Sequence, residues 1–282
     1  VRSRRQRQMC IRDRFRMGKV MSPFLLIDEM GPVNYGPGEA VGAPWHPHRG
    51  FETVTYLLDG RMRHEDSAGN HGELNPGDVQ WMTAGRGIIH CEEPHEEILR
   101  DGGRTHGFQI WVNLPASHKM MRPRYQEVPS SESPTVEKNG VWARVIAGEC
   151  MGEQSAIDTK IPITLIHIKM NSGSRLSQEL ESGLNGMIYV FGGEIELENE
   201  ARVKKSPIAF GIRTKQQIKD GELGLLSEGD VISITSKSDS EFLILAGPEL
   251  NEPISRYGPF VMNTREEIEQ AFIDYRNGTF VG

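Results

Sequence analysis

The sequence predicts an all-β protein, two tandem antiparallel barrels or sandwiches followed by one C-terminal helix. Three observations predict it. Short apolar runs punctuated by turn signals occupy most of the 282 residues, two stretches repeat one order of strand and turn, and a convincing helical period occurs only in the tail. The first barrel is expected from runs at residues 24–27, 53–58, 79–83, 88–90 and 108–112. Asp59-Gly60, Ala68-Gly69-Asn70 and Asn75-Pro76-Gly77-Asp78 separate them. No helix-period segment of useful length lies among these runs. Between 115 and 134, Leu114-Pro115, Arg122-Pro123-Arg124, Val128-Pro129 and Ser133-Pro134 remove amide donors and fix φ, so a linker is expected there rather than helix or central strand.

Strand texture returns at 141–147, 164–170, 186–197, 230–235 and 242–246. Tyr56-Leu57-Leu58-Asp59-Gly60 followed by Gly77-Asp78 is echoed by Tyr189-Val190-Phe191-Gly192-Gly193 followed by Gly229-Asp230, which points to two copies of one β-fold. In the tail, Thr264 with Glu267 three residues on is a capping-box pattern. Ile268, Ala271, Phe272 and Tyr275 then recur at helical spacing until Asn277-Gly278 stops the helix, which is expected to pack across the barrels and to carry no chemistry. The expected partition is a first domain at 15–114, a linker at 115–134, a second domain at 135–263 and the helix with its tail at 264–282.

Composition narrows the class. Hydrophobic residues at 37% and charged residues at 25% fit a soluble globular chain, and no stretch approaches the roughly 20 apolar residues that span a bilayer. Cys10, Cys91 and Cys150 have no CxxC spacing, so neither a disulfide framework nor a thiolate zinc site is indicated. The net charge is −7, but residues 1–14 carry six arginines against Asp13; the remainder, at −12, argues against binding a phosphate backbone. Gln8-Met9-Cys10-Ile11-Arg12-Asp13-Arg14 resembles a translated sequencing adapter, so 1–14 are expected to be foreign and the native start to be missing. A cytoplasmic monomer is expected, nuclear as well in a eukaryote.

The chemistry concentrates in two short motifs. In His46-Pro47-His48 and His90-Cys91-Glu92, the i and i+2 side chains of a strand share a face, so two strands could aim four ligands at one point. Three imidazoles and a carboxylate suit a divalent first-row metal, and a six-coordinate ion keeps two positions for substrate or dioxygen. Eight of the nine histidines lie between His46 and His118, which favours one site in the first half. His64, in Arg63-His64-Glu65-Asp66, is a candidate catalytic residue able to bind substrate or accept a proton, against the plainer reading of a surface histidine. On a regular strand the Cys91 sulfur points away from the metal. Trp81, Phe51 and Trp111 are expected in the core, and His71, His95, His106 and His118 have no assigned role.

These residues resemble the cupin superfamily. Gly42, His46, His48, Glu52 and Gly60 fit its first motif and Gly87 with His90 its second. The likeness narrows to the pirin family through residues 46–54, 75–90 and Gly258-Pro259-Phe260-Val261-Met262-Asn263-Thr264, and covers about 23 to 277. The resemblance implies two tandem cupin (double-stranded β-helix, jelly-roll) barrels. It implies one iron in the first barrel, bound by His46, His48, His90 and Glu92, with Glu52 near but not a ligand. It also implies quercetin 2,3-dioxygenase activity, cleaving a flavonol with dioxygen, with Glu92 as ligand or base. The alternative it implies is an iron-dependent redox sensor that docks a transcription factor. The second half reads Ser177-Gln178-Glu179-Leu180-Glu181 where an HxH would stand, so it is expected to lack a metal.

Overall fold

In the computed structural model, residues 7–10, 17–197, 217–227 and 229–281 are described. The chain forms two compact units that do not follow its linear halves. One joins Phe24–Glu132 with Leu250–Gly282, and the other joins Ser133–Glu249 with the segment that ends at Pro23. Residues 250–263, expected with the second barrel, therefore sit with the first, and so does the C-terminal helix. Of the Arg-rich head, Arg7–Cys10 (β1) is described as a strand paired antiparallel with β2 (Phe24–Tyr35); the rest lies outside the described residues.

The short helix α1 (Met17–Val20) precedes β2. The first unit then runs β3 (Ala43–His48), β4 (Phe51–Asp59), β5 (Met62–Asp66), β6 (His71–Leu74), β7 (Val79–Thr83), β8 (Ile88–Pro94), α2 (Glu96–Asp101), β9 (Gly103–Asn113), a 3-10 turn at Ala116–His118 and β10 (Arg124–Val128). A six-stranded sheet, ordered β1-β2-β9-β4-β7-β10, faces a four-stranded sheet, β3-β8-β5-β6. The expected linker is thus partly strand. Pro123 and Pro129 bracket β10 instead of interrupting it, and β10 pairs along β7 as an edge strand, where proline neighbours are tolerated.

The second unit repeats this plan: β11 (Thr135–Lys138), β12 (Val141–Ala147), the hairpin β13 (Glu149–Cys150) and β14 (Glu153–Gln154), β15 (Thr164–Met170), β16 (Arg175–Glu179), β17 (Leu184–Gly192), β18 (Glu194–Leu197), β19 (Gln217–Lys219), β20 (Glu222–Leu225), β21 (Val231–Ser236) and β22 (Ser240–Pro248). Its sheets run β11-β12-β15-β22-β17-β20 and β16-β21-β18-β19. Aligning β2-β9-β4-β7 with β15-β22-β17-β20 makes β3 equivalent to β16 and β8 to β21. The repeat is real, with one correction to its echo. The Tyr56 and Tyr189 strands correspond, whereas Gly77-Asp78 leads into β7 and Gly229-Asp230 into β21, which corresponds to β8. The run expected at 186–197 is two strands, β17 and β18, because Gly193 turns between them with φ +74°.

The two interiors differ in kind. Val141, Ala143, Val145, Ile166, Ile168, Ile188, Val190, Ile232, Ile234, Phe242 and Ile244 pack the second barrel as one apolar, mostly aliphatic cluster. From β16 only Leu176 and Gln178 are buried, and the Gln178 amide donates to the Glu149 and Glu179 carbonyls. The first interior is lined instead by the side chains described below.

The chain returns to the first unit as β23 (Ser255–Tyr257), β24 (Phe260–Met262) and α3 (Arg265–Asn277). Thr264 Oγ1 accepts from the Glu267 amide and the Glu267 carboxylate accepts from Thr264 N, so the capping box forms as read; Gly278 closes the helix at φ +73°. Ile268 and Ala271 bury against Phe260, Met262 and Phe280. None of the described helices is long and apolar enough to cross a membrane.

Candidate metal centre

Strands β3 and β8 run antiparallel with His46 opposite His90 and His48 opposite Ile88. Alternation puts His46, His48 and His90 on the inner face, and each offers a nitrogen within 4.8 Å of the others. Their ring centroids lie 4.3 to 5.0 Å apart. His48 and His90 are buried, while His46 is partly open.

Hydrogen bonds settle which nitrogen of each ring faces its neighbours. A carbonyl only accepts, so His46 Nδ1 donates to Pro44 O at 2.7 Å and His48 Nδ1 donates to Pro259 O at 3.3 Å; each ring keeps a bare Nε2. The third tautomer follows from a relay. His64 Nε2 donates to the Asp66 carboxylate at 3.4 Å, which leaves His64 Nδ1 to accept from His90 Nδ1 at 3.5 Å. His90 Nε2 is then also bare, buried and without a hydrogen-bond partner. Three basic nitrogens crowded without a proton between them are costly alone and suited to a shared cation. The residues present fit a divalent metal.

Electrostatics agree with neutral rings. Burial, and then the neighbouring histidines, hold His48 well below the usual histidine range. Burial, followed by His46 and His64, pushes His90 down to about 2. Burial opposes ionisation of Asp66, but hydrogen bonds from the His64 and Asn70 side chains and from the Asn70 and Ala68 amides outweigh it and keep the carboxyl below its ordinary range.

Glu92 stands apart from this triad. Its Oε1 accepts from Thr55 Oγ1 at 2.8 Å, and Gln109 Nε2 lies 3.1 Å from both oxygens. Both partners come from the facing sheet. Glu52, on β4, takes the opposite face from Thr55 and accepts from Thr83 Oγ1 at 2.6 Å. His64 is not a surface residue. It is 2% exposed, enclosed by Asp66, His90 and the Tyr125 ring stacked at 5.0 Å. Burial first, then Glu93 and Glu65, raise the Cys91 thiol, whose sulfur does not belong to the cluster. His95 caps α2 by accepting from Glu97 N. Trp81 is fully buried, whereas Trp111, in tilted contact with Phe51 at 4.4 Å, lies 5.3 Å from the His48 ring as part of the wall beside the site.

Several functional partners went unread in the sequence. Asp66 carried a usable signal, since it lies two residues from His64 and shares its strand face. Thr55, Gln109, Tyr125 and the Pro259 carbonyl carried none, because they reach the site from other strands or through a main-chain atom.

Two barrels of repeated jelly-roll topology, one holding a three-imidazole pocket and the other filled with mostly aliphatic side chains, define a two-barrel cupin. Comparison with known proteins narrows this. The family described as Pirin matches residues 2–112, a range that begins inside the Arg-rich head, and the Pirin C-terminal cupin domain matches residues 165–281. The chain is 42% identical over 262 residues to Pirin of Homo sapiens, covering 92% of this chain and 83% of that one. It is 43% identical over 265 residues to a Pseudomonas aeruginosa protein whose name proposes quercetin 2,3-dioxygenase activity, covering 91% and 86%. The crystal structure of quercetin 2,3-dioxygenase from Acinetobacter baumannii superposes with TM-score 0.84 at 37% identity, covering 94% of this chain and 88% of that one. The chain belongs to the pirin family.

Proposed function

We propose that the chain is an iron-dependent dioxygenase that opens flavonols, a quercetin 2,3-dioxygenase. The observation that carries this reading is the convergence of three imidazoles, each with a bare Nε2, inside one barrel and beside an aromatic wall. The names of the Pseudomonas and Acinetobacter relatives supply the substrate class. Iron is the metal that the likeness to pirins implies, since imidazole with carboxylate by itself accepts several first-row ions.

His46, His48 and His90 would hold the ion through Nε2, with Glu92, two residues beyond His90 on the same strand, as the fourth donor. When bound, the ion would supply Lewis acidity that favours the deprotonated flavonol. The protein does the rest. Thr55 and Gln109 hold the Glu92 carboxylate in place, and that carboxylate takes the flavonol hydroxyl proton. Trp111, partly buried beside the His48 ring and backed by the buried Phe51, offers an apolar surface to the substrate rings. In the net reaction the flavonol gains one dioxygen and loses one carbon monoxide as its central ring opens.

Oxygen uptake by the iron-loaded chain with a panel of flavonols tests this. Consumption matched by carbon monoxide release is expected, and Glu92→Gln should slow turnover by about 100-fold or more, since it removes a donor and a base at once. No oxygen consumption with quercetin or its relatives would end the proposal.

A further inference from the structure

We infer that the C-terminal segment is a working part of the metal centre: Pro259 and Asp274 are positioning residues that hold His48, so metal binding and docking of α3 are coupled. This rests on the metal reading above. The motif at Gly258–Thr264 is otherwise without a role, and the structure lays it along the ligand loop. The Pro259 carbonyl receives His48 Nδ1–H at 3.3 Å and so fixes which nitrogen faces the metal. Val261 N donates to Arg49 O at 3.0 Å. Lys119, buried, donates to Gly50 O and Asn113 Oδ1 at 2.7 Å and to Val261 O at 3.0 Å, tying the loop and the segment together.

Arg49 extends the link to the helix. Next in sequence to His48 and 3% exposed, it places Nη1 2.7 Å from Asp274 Oδ2 on α3 and its guanidinium 4.5 Å from the centre of the Phe280 ring. Its Nε donates to the carbonyl of Arg86, in the turn that launches the His90 strand. Gly50 N donates to Gly85 O in the same turn at 2.8 Å. Both ligand strands are therefore anchored where the C-terminal segment lands. Gln270 donates to the other Asp274 oxygen at 2.7 Å and fixes that carboxylate. By linkage, whatever α3 docking contributes to ligand geometry, metal binding must return to α3 docking.

Cobalt(II) is the probe, read by chelator competition, by its visible ligand-field bands and by amide exchange across residues 265–277. Asp274→Ala should weaken cobalt binding by about tenfold or more and shift the bands, as loss of an outer partner does. Asp274→Glu should restore part of both. In the unaltered chain, which requires no variant to fold, cobalt should slow exchange in α3. Wild-type affinity and bands in Asp274→Ala, with α3 exchange indifferent to cobalt in the unaltered chain, would overturn the inference while leaving the metal site standing. Failure of the unaltered chain to bind cobalt would overturn the metal reading itself.

Discussion

Each of the three clustered histidines has one nitrogen already spent: His46 on Pro44, His48 on Pro259 and His90 on a relay that ends at Asp66. The clustered histidines and the i, i+2 spacing of His46 and His48 were legible because a strand enforces that geometry locally. The tautomers were not, because two of the three depend on atoms brought in by folding. The depressed pKa values of His48, His90 and the second barrel's His167, all caused first by burial, predict the acid behaviour of the metal-free protein. In the unfolded chain these histidines take up protons as pH falls below the ordinary 6.5, while in the folded chain burial holds each of them back to lower pH, about 2 for His90. Stability is therefore fully present above pH 6.5 and declines as the pH falls below it, each of the three histidines adding to the slope. Asp66, with its lowered carboxyl, adds a loss only in stronger acid, so the interval between pH 6.5 and 5 reports the histidines. Urea unfolding across that interval should show the decline, and His90→Gln should make it shallower. A flat profile would mean that the rings are not buried neutral.

At the scale of elements, the runs at Val79–Thr83, Val141–Ala147 and Thr164–Met170 are strands with the bounds read from the sequence, because alternation and turn residues are local signals. β10 was hidden by prolines at its ends, and β17 and β18 were fused because the Gly192-Gly193 turn sits inside an apolar run. Gly50 shows what the turn after His48 requires. At φ +89° its backbone is left-handed, and an added Cβ would run into the Val261 carbonyl and the Met262 sulfur. Gly69, at φ +87° with nothing within 4 Å, has the same backbone demand without the crowding. Gly69→Ala should cost about 1 kcal/mol of folding stability and Gly50→Ala roughly twice that or more, measured by urea unfolding of the metal-free chains. Equal losses would show that Gly50 is kept for its backbone conformation alone.

Over the whole molecule, the repeat was legible and its consequences were not. Tyr56 and Tyr189 mark equivalent strands, but nothing local announces that the segment ending at Pro23 belongs with the second unit or that residues from Leu250 return to the first. That exchange is made by contacts between distant residues. The two barrels keep one topology with different linings: where β3 and β8 carry His46, His48 and His90, the equivalent β16 and β21 carry Leu176, Gln178, Ile232 and Ile234. Metal content per chain tests the account most directly. Iron titrated into the purified, chelator-stripped protein and quantified after gel filtration should give one equivalent in the unaltered chain and in Ser177→Ala. His48→Ala should bind almost none while the second barrel keeps its fold. Stoichiometric iron retained by His48→Ala, or iron lost from Ser177→Ala, would contradict a single centre built by the first barrel.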